Sequence, residues 1–158
     1  MDDQCHRAYL SLGSNLGDRA ALLREAVRRL ALLPRTRVLA VSPIIETAPW
    51  DKTEQPAFLN MAVAVATALT PEELLDATRA IEDALGRQRA EHWGPRTVDI
   101  DLLAYEGEER ATPSLRLPHP ALTQRRFVLA PLADIAPELR VHGKTVREWL
   151  QELEAKEG

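Results

Sequence analysis

The chain has 158 residues, 45% of them hydrophobic, which is enough for one domain with a sizeable buried core. Its 20 Lys and Arg against 24 Asp and Glu give a net charge of −4, which argues against nucleic acid as a partner. No apolar run approaches the roughly 18 residues that span a membrane, and the polar start Met1–Arg7 lacks a signal-peptide core. A single cysteine, Cys5, permits no internal disulfide, so we expect a cytoplasmic protein with one domain over residues 1–158.

The first element predicted is a short strand over Ala8–Leu12, followed by a turn of small residues at Gly13–Asn15. This turn lacks the spacing and the lysine of a phosphate-binding loop, so we interpret it as a structural turn that borders the site. Asp18 is a good N-cap for the helix that follows, which has one apolar face and runs to about Leu33, where Pro34 stops it.

Two further strands are predicted over Val38–Thr47 and Phe58–Thr67, the second interrupted by the polar Asn60. The segment between them carries two prolines, several charges and Trp50, which is typical of a loop. Trp50 is equally compatible with a loop anchor packed on the domain and with a contact to a ligand.

A second helix is predicted from the capping box Thr70–Glu73, which places Thr at the N-cap, Pro at N1 and Glu at N3. We expect it to end at about Leu85, with Gly86 as the C′ residue. Glu82 on this helix is interpreted as an exposed acid, with a side chain that faces the site as the alternative.

The C-terminal third begins with a strand from Val98, a turn at Glu106–Glu109 and a short return strand at Leu115–Pro118. A helix is then predicted through Leu122 to Leu132, carrying Arg125 and Arg126. The lone His119 before it fits a hydrogen-bonded structural histidine and a phosphate ligand equally well. A turn or short strand at 141–144 and a capping box at 145–148 predict a last helix to about Ala155.

The order strand, helix, strand, strand, helix, strand predicts an α+β fold, the ferredoxin-like βαββαβ sandwich with extra C-terminal strands and helices. Such a fold has an antiparallel sheet with both main helices on one face. We expect the C-terminal elements to surround the fourth strand. The fold alone fixes no function.

Two carboxylates mark the fourth strand. Val98, Ile100 and Leu102 alternate as in a half-buried strand, so Asp99 and Asp101 leave its other face with Cβ atoms about 7 Å apart. Oxygen ligands at that separation suit Mg²⁺, which completes its shell with waters and phosphate oxygens. A strand edge with two solvated aspartates is the alternative, because a short motif often occurs by chance.

Three arginines precede the aspartates, at positions 87, 89 and 96. Guanidinium groups contact phosphate in a bidentate manner, and a polyphosphate on Mg²⁺ needs such counter-charge. The arginine-rich loop and the aspartate pair therefore favour a site for a metal-bound polyphosphate over a solvated surface.

The segment His92–Leu103, HWGPRTVDIDLL, matches without a gap the signature of the 6-hydroxymethyl-7,8-dihydropterin pyrophosphokinases of folate biosynthesis. The resemblance extends from about Ala8 to Leu150. It implies transfer of a pyrophosphoryl group from ATP to the hydroxymethyl group of the dihydropterin, with release of AMP. It also implies two Mg²⁺ ions bound by Asp99 and Asp101.

The resemblance assigns further residues by position in this sequence. Arg87 and Arg96 resemble the arginines that steady the transferring group. ATP-phosphate contacts are implied for Arg87, Arg89, Arg96, His119 and Arg125, with Arg116 a weaker candidate. Glu82 matches an acidic position of the family motifs. Pterin contacts are implied for Thr47, Pro49, Trp50, Phe58, Asn60, Trp93, Asp99 and Phe127, with the two phenylalanines stacking on the ring and Trp93 closing over it.

A ferredoxin-like binding module, either an RNA-binding sheet or a small-molecule regulatory domain, is the competing hypothesis. An RNA-binding sheet needs exposed aromatic residues on central strands and a basic surface, whereas this acidic chain has two Phe and two Tyr. A regulatory domain would not need the arginine loop and the aspartate pair together. We therefore expect an enzyme that acts on ATP and the dihydropterin as a monomer, without nucleic-acid or membrane partners.

Overall fold

The computed structural model describes residues 5–14, 18–47, 58–87 and 98–157. Within them the elements follow one another as β1 (His6–Ser14), α1 (Arg19–Ala31), β2 (Thr36–Val41), β3 (Ile45–Thr47), β4 (Phe58–Thr67), α2 (Pro71–Arg87), β5 (Asp99–Tyr105), β6 (Arg110–Ala111), β7 (Arg116–Leu117), α3 (Arg126–Ile135), β8 (Arg140–Val141), β9 (Lys144–Thr145) and α4 (Val146–Glu157). No helix in these ranges is both long and apolar enough to cross a membrane.

The main sheet is antiparallel, with the strand order β2-β4-β1-β5 and the short β3 paired with the start of β4. Strands β1 and β4 are therefore central, and the later strand β5 lies on the edge beside β1. This is the ferredoxin-like α+β arrangement that the order of elements predicts.

Each face of the sheet has its own apolar core. One face packs against α1 and α2, and its core contains Leu10, Val63 and Ile100 from three strands. The other face carries Tyr9, Ala62 and Leu103 and packs against α3 and α4. The sequence predicts that the C-terminal elements surround the strand that begins near Val98, which is β5. The hairpin strand β7 does contact β5, but α3 packs mainly against the central strand β4. The apolar side chains of α3 cover the face of the sheet opposite α1 and α2.

The helix starts predicted from capping residues are confirmed. The Asp18 carboxylate accepts a hydrogen bond from the Ala21 N–H at 3.2 Å. Both capping boxes form reciprocally, Thr70 with Glu73 and Thr145 with Glu148, at donor–acceptor distances between 2.9 and 3.1 Å. Each box satisfies two backbone donors that the first helical turn would otherwise leave unpaired.

Several boundaries differ from the sequence prediction. Strand β1 runs from His6 to Ser14, so Gly13 and Ser14 belong to the strand and not to the turn predicted at Gly13–Asn15. The strand predicted over Val38–Thr47 is split into β2 and β3. The split arises because the Ser42 hydroxyl accepts a hydrogen bond from the Ala62 N–H at 2.8 Å, and because Pro43 has no N–H that could pair with the neighbouring strand. Gly86 does not end α2, which continues to Arg87. The third helix begins at Arg126, so Arg125 is its N-cap rather than a residue of the helix.

The turn after β5 leads into a small separate hairpin. Gly107 adopts a positive φ of 79° in this turn, and β6 then pairs with β7 rather than with the main sheet. The Arg110 side chain ties this hairpin to α2, since its Nε and Nη1 donate to Glu72 at 2.6 Å and to Glu108 at 2.7 Å. The hydrogen bond from Arg110 lowers the pKa of the Glu72 carboxyl.

Replacing Gly86 with alanine should stabilise the protein. Gly86 lies inside α2, and a Cβ built there meets nothing within 4 Å. Because glycine in a helix costs up to about 1 kcal/mol relative to alanine, Gly86→Ala should raise the free energy of unfolding by a few tenths to about 1 kcal/mol in urea denaturation.

Gly107→Ala is the matched control, because it also meets open space but at a positive φ. It should lower stability by about 1 kcal/mol. A loss of stability in Gly86→Ala would contradict the helical assignment of this position.

Candidate active site

One cross-strand row organises the site. Gly13 of β1 lies opposite Asn60 of β4 on one side and opposite Asp99 of β5 on the other. Directly opposed residues of antiparallel strands point to the same face, here the face that α3 covers further along. In the next row, Ser11 lies opposite Asp101. The pairing of β1 with β4 and β5 thus places one amide, from β4, and two carboxylates, from β5, on the same surface of the sheet.

The aspartate pair has the exposure predicted from the alternation. Asp99 and Asp101 are exposed, whereas Ile100 between them is 4% exposed and Leu102 is 3% exposed. Both carboxylates therefore leave β5 on the same side, with Cβ atoms about 7 Å apart. Two hard oxygen donors on one exposed face fit Mg²⁺, whose remaining ligands are usually water and phosphate.

Glu82 of α2 is buried, so its interpretation as an exposed helical acid is wrong. The residue is 6% exposed, and its Oε2 accepts the Ile100 N–H at 2.7 Å. Ile100 lies on the edge strand, where a backbone N–H has no neighbouring strand to donate to. Glu82 satisfies that donor and holds β5 at the residue between the two aspartates.

A cavity of about 540 Å³ lies beside the aspartate pair, between α2, β5 and the segment after β7. Its lining brings together Asp101, Glu82, Arg79, Arg116 and His119, and two of these, Arg116 and His119, are among the six cations predicted to contact the phosphates. Arg79 was missed in the sequence, although it stands one helical turn before Glu82 and so on the same side of α2.

The backbone and the ring of His119 are both fixed by hydrogen bonds. Its N–H donates to the Leu103 O at 2.8 Å, which ties it to β5, and its Nδ1 accepts the Ala121 N–H at 3.0 Å. With Nδ1 as an acceptor, the ring proton is on Nε2. His119 is therefore both a hydrogen-bonded histidine and a donor in the cavity wall, so the two sequence alternatives are compatible.

The start of α3 carries two of the predicted residues. The Arg125 guanidinium carbon lies 5.7 Å from the centre of the Phe127 ring, within the range of a cation–π contact. Phe127 is half-buried and packs against the core of the α3 face. Arg125 does not line the 540 Å³ cavity.

The other end of the row is an amide held by a threonine. Asn60 is 6% exposed, and its Nδ2 donates to the Thr47 Oγ1 at 3.1 Å. Thr47 in turn lies opposite Phe58 in the β3–β4 ladder. Phe58 is half-buried at this end of β4.

Several predicted site residues lie outside the described residues. These are Pro49 and Trp50 before β4, and Arg89, Trp93 and Arg96 before β5. Arg87 enters the description only as the last residue of α2. Their assignments stay predictions.

Comparison with known families gives one match over most of the chain. The model of the family "7,8-dihydro-6-hydroxymethylpterin-pyrophosphokinase (HPPK)" matches residues 9–137. The chain is 54% identical over 148 residues to the 2-amino-4-hydroxy-6-hydroxymethyldihydropteridine pyrophosphokinase of Methylorubrum extorquens, with 94% of each chain covered. It is 45% identical over 151 residues to the Bacillus subtilis protein of the same name, with 91% of this chain and 90% of that protein covered.

Solved structures agree on the fold. A Plasmodium falciparum HPPK-DHPS crystal structure with pterin and p-hydrobenzoate superposes with a TM-score of 0.74 at 17% identity over 97% of this chain. Another, of the wild type with pterin and p-hydroxybenzoate, gives 0.75 at 17% identity. This chain spans 45% and 44% of the length of those two chains.

Removing the Glu82 carboxylate should destabilise the protein. Glu82→Ala leaves the buried Ile100 N–H without this acceptor, which should lower the free energy of unfolding by about 1–3 kcal/mol. Glu82→Gln should lose less, because an amide oxygen can still accept. Asp83→Ala, at the exposed neighbouring position, should change stability by less than about 0.5 kcal/mol. Equal stabilities of Glu82→Ala and Asp83→Ala in urea denaturation would refute the role of this hydrogen bond.

Proposed function

This chain belongs to the 7,8-dihydro-6-hydroxymethylpterin-pyrophosphokinase family, and we propose that Asp99 and Asp101 hold the metal-bound ATP while Asn60, in the same row of the sheet, reads the pterin. The protein transfers a pyrophosphoryl group from ATP to the hydroxymethyl group of 6-hydroxymethyl-7,8-dihydropterin in folate biosynthesis, releasing AMP. The observation that carries the proposal is the row Asn60–Gly13–Asp99, which sets an amide and a carboxylate two strands apart.

Asp99 and Asp101 are the proposed Mg²⁺ ligands. Their shared face, their exposure and their oxygen donors support the assignment, and two ions fit two carboxylates that also share phosphate oxygens. When bound, such ions neutralise phosphate charge and lower the pKa of the attacking hydroxyl. Asp99 also lies in the same row as Asn60, the proposed pterin contact, so we assign Asp99 to both substrates.

The ATP phosphates are proposed to meet the cations around the 540 Å³ cavity. Arg116 and the Nε2–H of His119 can donate to phosphate oxygens from one wall, and Arg79 from the other. Arg125 would reach the phosphates from the start of α3. Arg87, Arg89 and Arg96 are added by the family resemblance, with Arg87 and Arg96 steadying the transferring group. Phosphoryl transfer depends on such positioning and charge neutralisation more than on covalent help.

The pterin is proposed to lie at the Asn60 end of the row. An amide offers a donor and an acceptor together, which suits the edge of a pterin ring. Phe58 and Phe127 are the proposed stacking partners, and both belong to the α3 face of the sheet. Thr47, Pro49 and Trp50 would complete the recognition, and Trp93 would close over the ring.

We also propose that the protein acts as a monomer of one domain over residues 1–158 in the cytoplasm. All site residues within the described ranges lie on the main sheet, on α2, at the start of α3, or on β7 and the segment after it, which supports a site formed by one copy. The single cysteine suits a reducing compartment.

Removal of either aspartate should abolish turnover. Asp99→Asn and Asp101→Asn each remove a charged metal ligand from an exposed face, so we expect kcat to fall by at least about 10³-fold with little change in stability. The measurement is AMP formation with Mg²⁺, ATP and the dihydropterin. Asp76→Asn, an exposed acid on α2, is the control and should keep full activity.

Near-normal rates in either aspartate variant would refute the metal assignment. The identity of the product separates the two function hypotheses, because a binding module forms no AMP at all. Formation of ADP instead of AMP would indicate an ordinary kinase.

Loss of the Phe127 ring should affect the pterin more than ATP. Stacking contributes about 0.5–1.5 kcal/mol beyond burial, so Phe127→Ala should raise the Kd of the pterin by about tenfold. Phe127→Leu keeps bulk without the aromatic ring, so an affinity loss that it shares with Phe127→Ala comes from the ring and not from lost bulk. Both variants also remove the contact of Arg125 with the ring. Equal losses of ATP and pterin affinity in calorimetric titrations would contradict the stacking role.

A further inference from the structure

Gly13 occupies a position where the backbone does not require glycine. It lies in the middle of the β1–β4 and β1–β5 ladders, and it is absent from the described glycines with a positive φ, which are Gly107 and Gly143. An alanine can adopt an extended strand conformation without strain. The reason for a glycine here must therefore be space rather than backbone freedom.

The space above Gly13 is taken by the Asn60 amide. A Cβ built on Gly13 would lie 2.9 Å from the Asn60 Oδ1 and 3.7 Å from the Leu59 O. The first distance is well inside van der Waals contact, so a methyl group forces Asn60 to move. None of the other described glycines, at 86, 107 and 143, meets an atom within 4 Å.

Moving the Asn60 side chain costs free energy, because the nitrogen of its amide is hydrogen-bonded to Thr47. Its Nδ2 donates to the Thr47 Oγ1 at 3.1 Å, and the residue is 6% exposed. Rotating Oδ1 away from position 13 turns the whole amide plane and breaks the bond to Thr47. The absence of a side chain at 13 therefore fixes where the donor and the acceptor of Asn60 point.

The position of Gly13 in the row links this packing to the substrates. Its two cross-strand neighbours are Asn60 and Asp99, whose Cα atoms are about 10 Å apart at the usual strand spacing. Gly13 is itself half-buried, so the Asn60 amide does not cover it completely.

We propose that Gly13 is a positioning residue for pterin recognition, which acts by leaving room for the Asn60 amide to lie over it in its hydrogen-bonded orientation. The proposal rests on the assignment of Asn60 to the pterin under the proposed function. It gives the Gly13 position, which the sequence shows only as part of a structural turn, a role in selecting the substrate.

The test is Gly13→Ala, assayed for the KM of each substrate. Turning the Asn60 amide loses about one hydrogen bond to the pterin, so the KM and the Kd of the pterin should rise about tenfold. The KM of ATP should stay within about twofold, because the cavity with Arg116 and His119 is unchanged. Gly86→Ala, the same substitution in open space, should leave both KM values unchanged.

A double-mutant cycle separates positioning from a general structural effect. If Gly13 acts through Asn60, then Gly13→Ala/Asn60→Ala should bind the pterin no more weakly than Asn60→Ala alone. The proposal would be overturned if the losses of pterin affinity in the two single variants multiply in the double variant. An unchanged pterin KM in Gly13→Ala would also overturn it. The double variant removes the 2.9 Å contact, so it must fold as well as Asn60→Ala even if Gly13→Ala does not. If the double variant fails to fold while Asn60→Ala folds, the proposal is also overturned.

Failure of the proposed function has a different signature. In that case Asn60→Ala itself leaves the pterin Kd unchanged, whatever Gly13→Ala does. A raised Kd in Asn60→Ala with no change in Gly13→Ala overturns only the role of Gly13.

Discussion

Strand β1 pairs with β4 on one side and with β5 on the other, and these two registers bring Asn60, Gly13 and Asp99 into one row. Because side chains alternate along a strand, a slip of one residue in either ladder would turn the amide or the carboxylates toward α1 and α2. The apolar residues on the other face, such as Leu12 and Ile100, prevent that slip because they are buried in the core. The core and the site are thus fixed by the same pairing.

Strand β5 carries the aspartates at the edge of the sheet, where a strand is least constrained. Glu82 compensates for this position by accepting the Ile100 N–H, so that β5 is held by β1 on one side and by α2 on the other. The same carboxylate lines the cavity that contains Arg116 and His119. The helix therefore positions the strand that carries the proposed metal ligands and also forms a wall of the proposed ATP site.

The start of α3 joins the two halves of the proposed site. Arg125, assigned to ATP, lies against the ring of Phe127, assigned to the pterin, at 5.7 Å. If Arg125 moves toward the ATP phosphate, its contact with the Phe127 ring changes. The proposed ATP and pterin sites are therefore connected through this pair of residues. Helix α3 packs mainly against β4, the strand that carries Asn60.

The sequence by itself determined the strand–helix order, the three helix caps and the alternation that exposes Asp99 and Asp101, because these depend on neighbours within a few residues. The family signature added the reaction. Only the tertiary structure decided that Glu82 is buried, that Ser42 and Pro43 split a strand, and that Gly13 lies beneath Asn60. The hydrogen bonds of Glu82 with Ile100 and of Ser42 with Ala62, and the approach of Asn60 to Gly13, each join residues at least 18 positions apart, and no local pattern encodes such a contact.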